Sequence, residues 1–385
     1  MKLNYDILGN YIRLSDIRNK NNITDRVLGI NIDKYFMPSV ANVIGTDLSK
    51  YKLITKHKFA CNPMHVGRDE RLPIALYEED EPALVSPAYF MFEIVDNTIL
   101  DARYLMMWFR RPEFDRICWL HTDGSVRGGI TWDDICRLEL PIPRIDEQRK
   151  IVEAYRIVED RIKLKRKIND NLEATARAIY KSYFIDFEPF GSSQPTTWQE
   201  VTIDDVAVDI VCGKTPPTAV ADNYGGNIPF ITIPDMHGNV YTTSTERFLS
   251  EKGAATQTKK TLPENSICVS CIASVGLVCL TSEPSQTNQQ INSIICKRNI
   301  SPFYIYIKMT SLTEYLKRLG AGGSTTLNIN KTLFGQIPIL LPEKDVIVEF
   351  HNRVEPLFSA IRANEYEMQH LDSLKSLLLT QISSH

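Results

Sequence analysis

The sequence predicts an α+β protein in which two mixed α/β domains are separated by two long antiparallel coiled-coil helices, the whole forming a pseudo-twofold internal repeat. Three observations carry that prediction. The helix entry "DEQRKIVEAY" (146–155) returns in fainter form as "PEKDVIVEFH" (342–351). Glu147 falls on Glu343 and Ile151-Val152-Glu153 on Ile347-Val348-Glu349, an offset of 196 in a chain of 385 residues. Each entry follows a Gly-Ser turn and a short polar segment, "DGSVRGGITWDDICRLELPIP" (123–143) and "GGSTTLNINKTLFGQIPIL" (322–340). Ahead of each lies a stretch with short β-prone runs and many turn residues, the pattern of a mixed globular domain.

The elements follow in order. In the first domain, residues 1–143, "FACNPMHVG", "PIALYEE" and "PAYFMFEIVD" read as strands, and "LDARYLMMWFRRPEFDRICWL" as one helix. A spacer helix occupies 144–187, and a linker, 188–196, lies in the Gly-, Pro- and Ser-rich "EPFGSSQPTT". In the second domain, 197–342, "NIPFITIPDM", "NSICVSCIASVGLVCL" and "QQINSIICKRN" read as strands and "SPFYIYIKMTSLTEYLKRL" as a helix. The distal spacer helix fills 343–385.

The spacer helices carry narrow apolar stripes. The first has Ile151, Tyr155, Val158 and Ile162, then Leu172, Ala176, Ile179 and Tyr183. The second has Ile347, Phe350, Val354, Phe358, Ile361, Met368, Leu371, Leu374 and Leu378, with Pro356 expected to kink it or limit its first turns. Such stripes suit a two-helix seam, and a helix of this size extends roughly 55 Å.

Composition is that of a globular protein: 43% hydrophobic, 24% charged, net charge −3. No apolar run reaches the roughly 18–20 residues of a membrane span, and "MKLNYDILGNYIRLSD" has no signal-peptide core, so a cytoplasmic location is expected. The eight cysteines are then expected to be reduced. Cys268 and Cys271 have metal-like spacing, but no second pair completes them, and their β-prone surroundings favour buried strand thiols.

Catalytic motifs appear only in imitation. "CGKTPP" (212–217) holds the Gly-Lys-Thr of a phosphate loop, but Val208 stands where the earlier Gly is needed and Pro216-Pro217 block the following helix. "SPAY" (86–89) resembles an amino-methyltransferase loop with Ala88 in place of a proline, and no Gly-rich cofactor loop accompanies it. The acidic "YEEDEP" (77–82) reads as a solvated loop. Binding and positioning, rather than bond-making, is the expected role.

"IPRIDEQRKIV", "LEATARAIYKSYFIDFEPF", "IPFITIPDM", "GGSTTLNIN" and "IPILLPEKDVIVEF" occur in that order. In this combination the chain resembles, over essentially its whole length, the specificity subunit of type I restriction–modification systems. The resemblance implies a non-catalytic chain with two target-recognition domains, each reading one half of a split double-stranded DNA target. It implies two helices that fix the gap, two methyltransferase subunits docked beside the domains, and restriction subunits joined to them. No cofactor is expected in this chain; S-adenosylmethionine, ATP and Mg would belong to the partners. The second helix entry departs from the first, with Lys344-Asp345 where the first has Gln148-Arg149. The rival expectation is a coiled-coil scaffold or transcription regulator that binds DNA alone.

DNA readers need Lys and Arg for phosphates and Arg, Asn or Gln for base edges. The first domain offers Lys56, Lys58, Asn62, His65, Arg68, Ser86, Tyr89, Ser125 and Arg127. The second offers Lys214, Thr232, Asp235, His237, Ser274, Asn288, Gln289, Gln290, Ser324 and Thr325. The Gly-Ser turns serve equally as phosphate donors or plain tight turns. "NQQIN" (288–292) is a base reader or a solvated turn; Arg68 contacts DNA or pairs with Asp69. The basic run "RIKLKRK" (161–167) reads as a solvated helix face. Tyr180, Tyr183, Phe184 and Phe187 form an aromatic cluster expected to dock a partner, unless it packs onto the second helix.

Overall fold

The division of the chain into two units falls inside the long helices. One unit is Met1–Asp160 with Asp372–His385; the other is Arg161–Leu371. The computed structural model describes residues 5–40, 45–64, 66–122, 128–321 and 327–382, with the Arg68 side chain outside that set. The sequence reading ended each domain where its helix begins. In the structure much of each helix stripe joins the domain cores instead, so each unit keeps a portion of both helices.

The first unit opens with β1 (Tyr5–Ile7), β2 (Ile12–Leu14), β3 (Leu28–Ile30), β4 (Phe36–Pro38) and β5 (Lys52–Ile54). Then come β6 (Phe59–Cys61), the single turn α1 (Val66–Asp69), β7 (Ile74–Leu76), β8 (Ala83–Val85) and β9 (Phe90–Ile94). Helices α2 (Ala102–Phe109), α3 (Pro112–Leu120) and α4 (Trp132–Cys136) lead to β10 (Glu139–Pro141) and the long α5 (Ile145–Phe184). The main sheet is antiparallel in the order β2-β9-β6-β7, and β1 pairs antiparallel with β10. Phe59, Phe92 and Phe109 fill its core, with the Phe59 and Phe92 rings stacked at 5.0 Å. Val152 and Tyr155 of α5 join the same core.

The single helix expected over 100–120 is two. The Asp101 carboxylate caps α2 by accepting from the N–H groups of Arg103 and Tyr104. The chain turns at Arg110-Arg111, and Pro112, which has no N–H to give, starts α3.

The second unit runs β11 (Gln199–Thr202), α6 (Ile203–Val206), β12 (Ala207–Cys212), β13 (Tyr224–Ile231), β14 (Tyr241–Thr242) and β15 (Arg247–Leu249). After α7 (Glu251–Ala255) come β16 (Ile267–Ser270), β17 (Val278–Thr281), β18 (Gln286–Thr287) and β19 (Ile291–Cys296). Helices α8 (Pro302–Ser311), α9 (Thr313–Gly320) and α10 (Lys331–Gly335) precede β20 (Pro338–Leu341) and α11 (Lys344–Gln381). Here too a predicted single helix divides, at Leu312 between α8 and α9. The main sheet has the order β12-β19-β16-β17-β14, and β11 pairs antiparallel with β20.

The repeat is therefore one of topology. In each unit the first four sheet strands have the same order and antiparallel sense, two helices follow, and a short capped helix and a closing strand lead into the long helix. Thr131 and Asp134 form a capping box on α4, and Asn330 caps α10. Within the second unit α5 and α11 run antiparallel: Lys165 meets Glu367 at 2.8 Å, the Asn364 amide donates to Asn169 at 2.8 Å, and Tyr183 donates to Glu349 at 2.7 Å. Pro356 lies within α11 without ending it. Ile347, Phe350, Val354, Phe358 and Ile361 are buried among Phe303, Tyr304 and Tyr306 of α8, so this part of the seam is three-sided rather than a bare helix pair.

Cys268 and Cys271 are buried free thiols at the β16 strand and its end. No helix among the described residues is long and apolar enough to cross a membrane.

Candidate nucleic-acid interface

In the second unit four candidates converge on one surface. Strand β12 ends at Cys212, and Gly213 brings the next loop hard against residues 287–288. A Cβ at Gly213 would stand 2.0 Å from the Asn288 carbonyl oxygen and 2.4 Å from that of Thr287. The approach is zipped by the Gly213 N–H donating to the Ile291 carbonyl at 3.1 Å and the Lys214 N–H to the Thr287 carbonyl at 2.9 Å. Thr215 then donates from its hydroxyl to the Gln289 side-chain oxygen at 2.6 Å. Lys260 reaches the same place, donating to the Cys212 carbonyl. Lys214 and Gln289 are exposed, Gln290 is half-buried and Asn288 is buried.

Asn288 organises its neighbour. Its Oδ1 accepts the Gln290 backbone N–H at 3.0 Å and its Nδ2 donates to the Gln290 Oε1 at 3.0 Å. The surface thus offers amides, a hydroxyl and ammonium groups, the set that meets phosphates and base edges.

The other second-domain candidates are placed apart by their local bonding. Thr232 and Asp235 form a capping box on the turn 233–236, and the second Asp235 oxygen accepts the Glu246 N–H at 2.8 Å. The residues therefore hold a turn together, with both Asp235 oxygens occupied. His237 is exposed just after that turn, and Ser274 is exposed in the turn between β16 and β17.

In the first unit, Lys56 is exposed and pairs with Asp80 at 2.6 Å, holding that carboxyl below its ordinary range. Lys58 is turned inward, donating to the Ser15 hydroxyl at 3.1 Å and lying 3.5 Å from Glu93. Asn62 accepts the Met64 N–H, and the Ser86 hydroxyl accepts the Ala88 N–H, each closing its own turn. Tyr89 packs half-buried against the small core around Tyr77 and Met91, and burial pushes its phenol up. His65, Ser125, Arg127, Ser324, Thr325 and the Arg68 side chain lie outside the described residues.

The aromatic cluster expected to dock a partner lies instead in the core of the second unit. Tyr180, Tyr183 and Phe184 are buried, and Phe187 packs against the same core. Phe184 lies 4.8 Å from Tyr304, 5.0 Å from Phe350 and 5.8 Å from Trp198, ring centre to ring centre. Positions 180, 183 and 184 share one helix face, and the domain core fills it, so these rings are not a docking surface. In the basic run, Arg161 and Lys165 both pair with Glu367 of α11.

A family model described as the type I restriction modification DNA specificity domain matches residues 195–367. The type I restriction enzyme HindI specificity subunit of Haemophilus influenzae is 36% identical over 320 residues, covering 66% of this chain and 70% of that protein. The chain belongs to the specificity subunits of type I restriction enzymes. The MjaIX specificity subunit of Methanocaldococcus jannaschii is 29% identical over 280 residues, 67% of this chain and 64% of that one. The crystal structure of the type I restriction–modification S subunit from M. genitalium shares the fold, with a TM-score of 0.61 at 14% identity, over 99% of this chain and 96% of that one.

Two members of the surface in this specificity subunit, Thr215 and Lys260, escaped the sequence reading. Thr215 sits in "GKTPP", which imitates a phosphate loop, and Lys260 is brought in only by the fold.

Proposed function

We propose that this specificity subunit reads a bipartite double-stranded DNA target, one half-site per recognition domain, with the gap set by α5 and α11. In this reading it positions two methyltransferase subunits and the restriction subunits in the cytoplasm. Methylation and ATP-dependent cleavage reside in those partners, with S-adenosylmethionine, ATP and Mg. The observation that carries the reading is the doubled topology: two sheets of the same strand order, each closed by a strand pair and followed by a helix of about forty residues. A chain built twice is suited to two related tasks at a fixed separation.

The test is co-expression with the methyltransferase subunit, followed by mapping of methylated bases. A split motif is expected, and exchange of residues 197–342 for another recognition domain should alter one half only. A motif that survives the exchange unaltered overturns the reading.

A further inference from the structure

Resting on that recognition role, we propose that Gln290 acts as an obligate hydrogen-bond donor and selects guanine at one position of the second domain's half-site. A glutamine amide ordinarily offers a donor and an acceptor side by side, which suits the N6 and N7 of adenine. Gln290 is denied that choice by a chain of bonds that begins at the backbone.

The Gln290 backbone N–H can only donate, so the Asn288 atom that receives it at 3.0 Å must be Oδ1. Asn288 Nδ2 is thereby turned towards the Gln290 side chain and donates at 3.0 Å to an atom that must accept, Oε1. That bond fixes the Gln290 amide with Oε1 held towards Asn288, and the NH2 group on the opposite side is its recognition end. Asn288 is itself held, its N–H donating to the Ile231 carbonyl at 3.1 Å, while the Gln290 carbonyl accepts the Cys271 N–H at 2.8 Å. The arrangement is fixed before any DNA arrives, as specific readout requires.

Among major-groove edges guanine alone presents two adjacent acceptors, N7 and O6. Adenine would set its N6 donor against the Gln290 donor, cytosine offers a donor, and thymine a single acceptor beside a methyl group. On the adjoining loop Lys214 is exposed, its N–H donating to the Thr287 carbonyl, and the Lys260 ammonium reaches the Cys212 carbonyl, so cationic groups suited to phosphates share this surface.

The experiment compares the methylation motif written by the wild-type complex with those of Gln290→Glu and Gln290→Met. In Gln290→Glu one oxygen still accepts from Asn288 and the other faces out, reversing the polarity. One position in the second half-site should change from guanine to cytosine, with the first half-site unaltered. In Gln290→Met guanine preference at that position should fall by roughly tenfold or more, with the rest of the motif kept. Where Gln290→Glu does not assemble, Gln290→Met decides alone. Guanine preference unchanged in Gln290→Met overturns the proposal, as does an unaltered motif in an assembled Gln290→Glu complex. Failure of the recognition role is separate: it appears as the absence of a split motif in the wild type.

Discussion

The Gln148 side chain binds the N-cap of α2: its Oε1 accepts the Asp101 N–H at 2.8 Å. Its Nε2 donates to the carbonyls of Ile99 and Pro143, each at 2.8 Å, and the residue is wholly buried. One amide thus satisfies three backbone groups and fixes the start of α5 to the first domain. Gln148→Ala should strand all three and cost about 2–4 kcal/mol, read as a lower denaturation midpoint of the first unit. Gln148→Glu should be as damaging, because a carboxylate would face two carbonyls. Neither variant losing stability would exclude this role.

Glu365 of α11 is the buried counterpart in the second unit. Its two oxygens accept the N–H groups of Val240 and Tyr241, both at 2.9 Å, and burial raises its carboxyl to about 7 although those donors pull it down. A folded-state pKa above the unfolded value gives stability that is full below about 4.5 and lost as pH rises through 7. The second unit should therefore weaken between pH 5 and 8, by on the order of 3 kcal/mol. Glu365→Gln should flatten that profile and lower stability at pH 5, since its NH2 would oppose one of the two donors. Denaturant titrations across this pH range measure both; a pH-independent wild type contradicts the assignment.

Phe184 tests the corrected role of the aromatic cluster. Phe184→Ala should cost about 3–5 kcal/mol in the stability of the second unit. A docking residue would instead leave the melting temperature alone and reduce assembly with partners. Thermal unfolding of the free chain beside a pull-down separates the two.

Gly213→Ala should damage the surface that carries Gln289 and Gln290. The added methyl would press on two backbone carbonyls that cannot rotate away, an overpacking worth about 1–3 kcal/mol. Loss of recognition confined to one half-site is the expected result in motif mapping; an intact motif at full activity would show that the loop yields.

If the helices set the gap, removing seven residues from each shortens them by about 10 Å, close to three base pairs. The mapped motif should lose roughly three base pairs of spacing while keeping both half-sites. Unchanged spacing would reject the ruler.

The repeat and the long helices were legible because they rest on local signals. The spacer helices read at 144–187 and 343–385 correspond to α5 at Ile145–Phe184 and α11 at Lys344–Gln381. Two kinds of feature were not. The breaks at Pro112 and Leu312 sit between apolar residues that continue at helical spacing on both sides, where periodicity outweighs a single interruption, although Pro112 was readable as a helix start. The surface around Gln289 joins Thr215 across 74 positions, and only tertiary pairing of β12 with β19 makes them neighbours. The aromatic run at 180–184 had the spacing of a buried face, but the sequence does not say what lies opposite. Thr232-Ile-Pro-Asp235 spelled a capping box all along.

The pairing of β11 with β20 joins Gln199 to Leu341 and Thr202 to Pro338. Everything from 203 to 337 thus enters and leaves through one doorway, and the hem around it is main-chain hydrogen bonding, indifferent to which side chains lie within. In hereditary terms the domain interior is a cassette. An exchange whose ends fall at that hem would replace the interior as one piece and leave the sequence of both helices as it was. The incoming interior would still have to fit the helix faces, since Phe350 and Phe358 pack against Phe303 and Tyr304, and Glu365 accepts the N–H groups of Val240 and Tyr241.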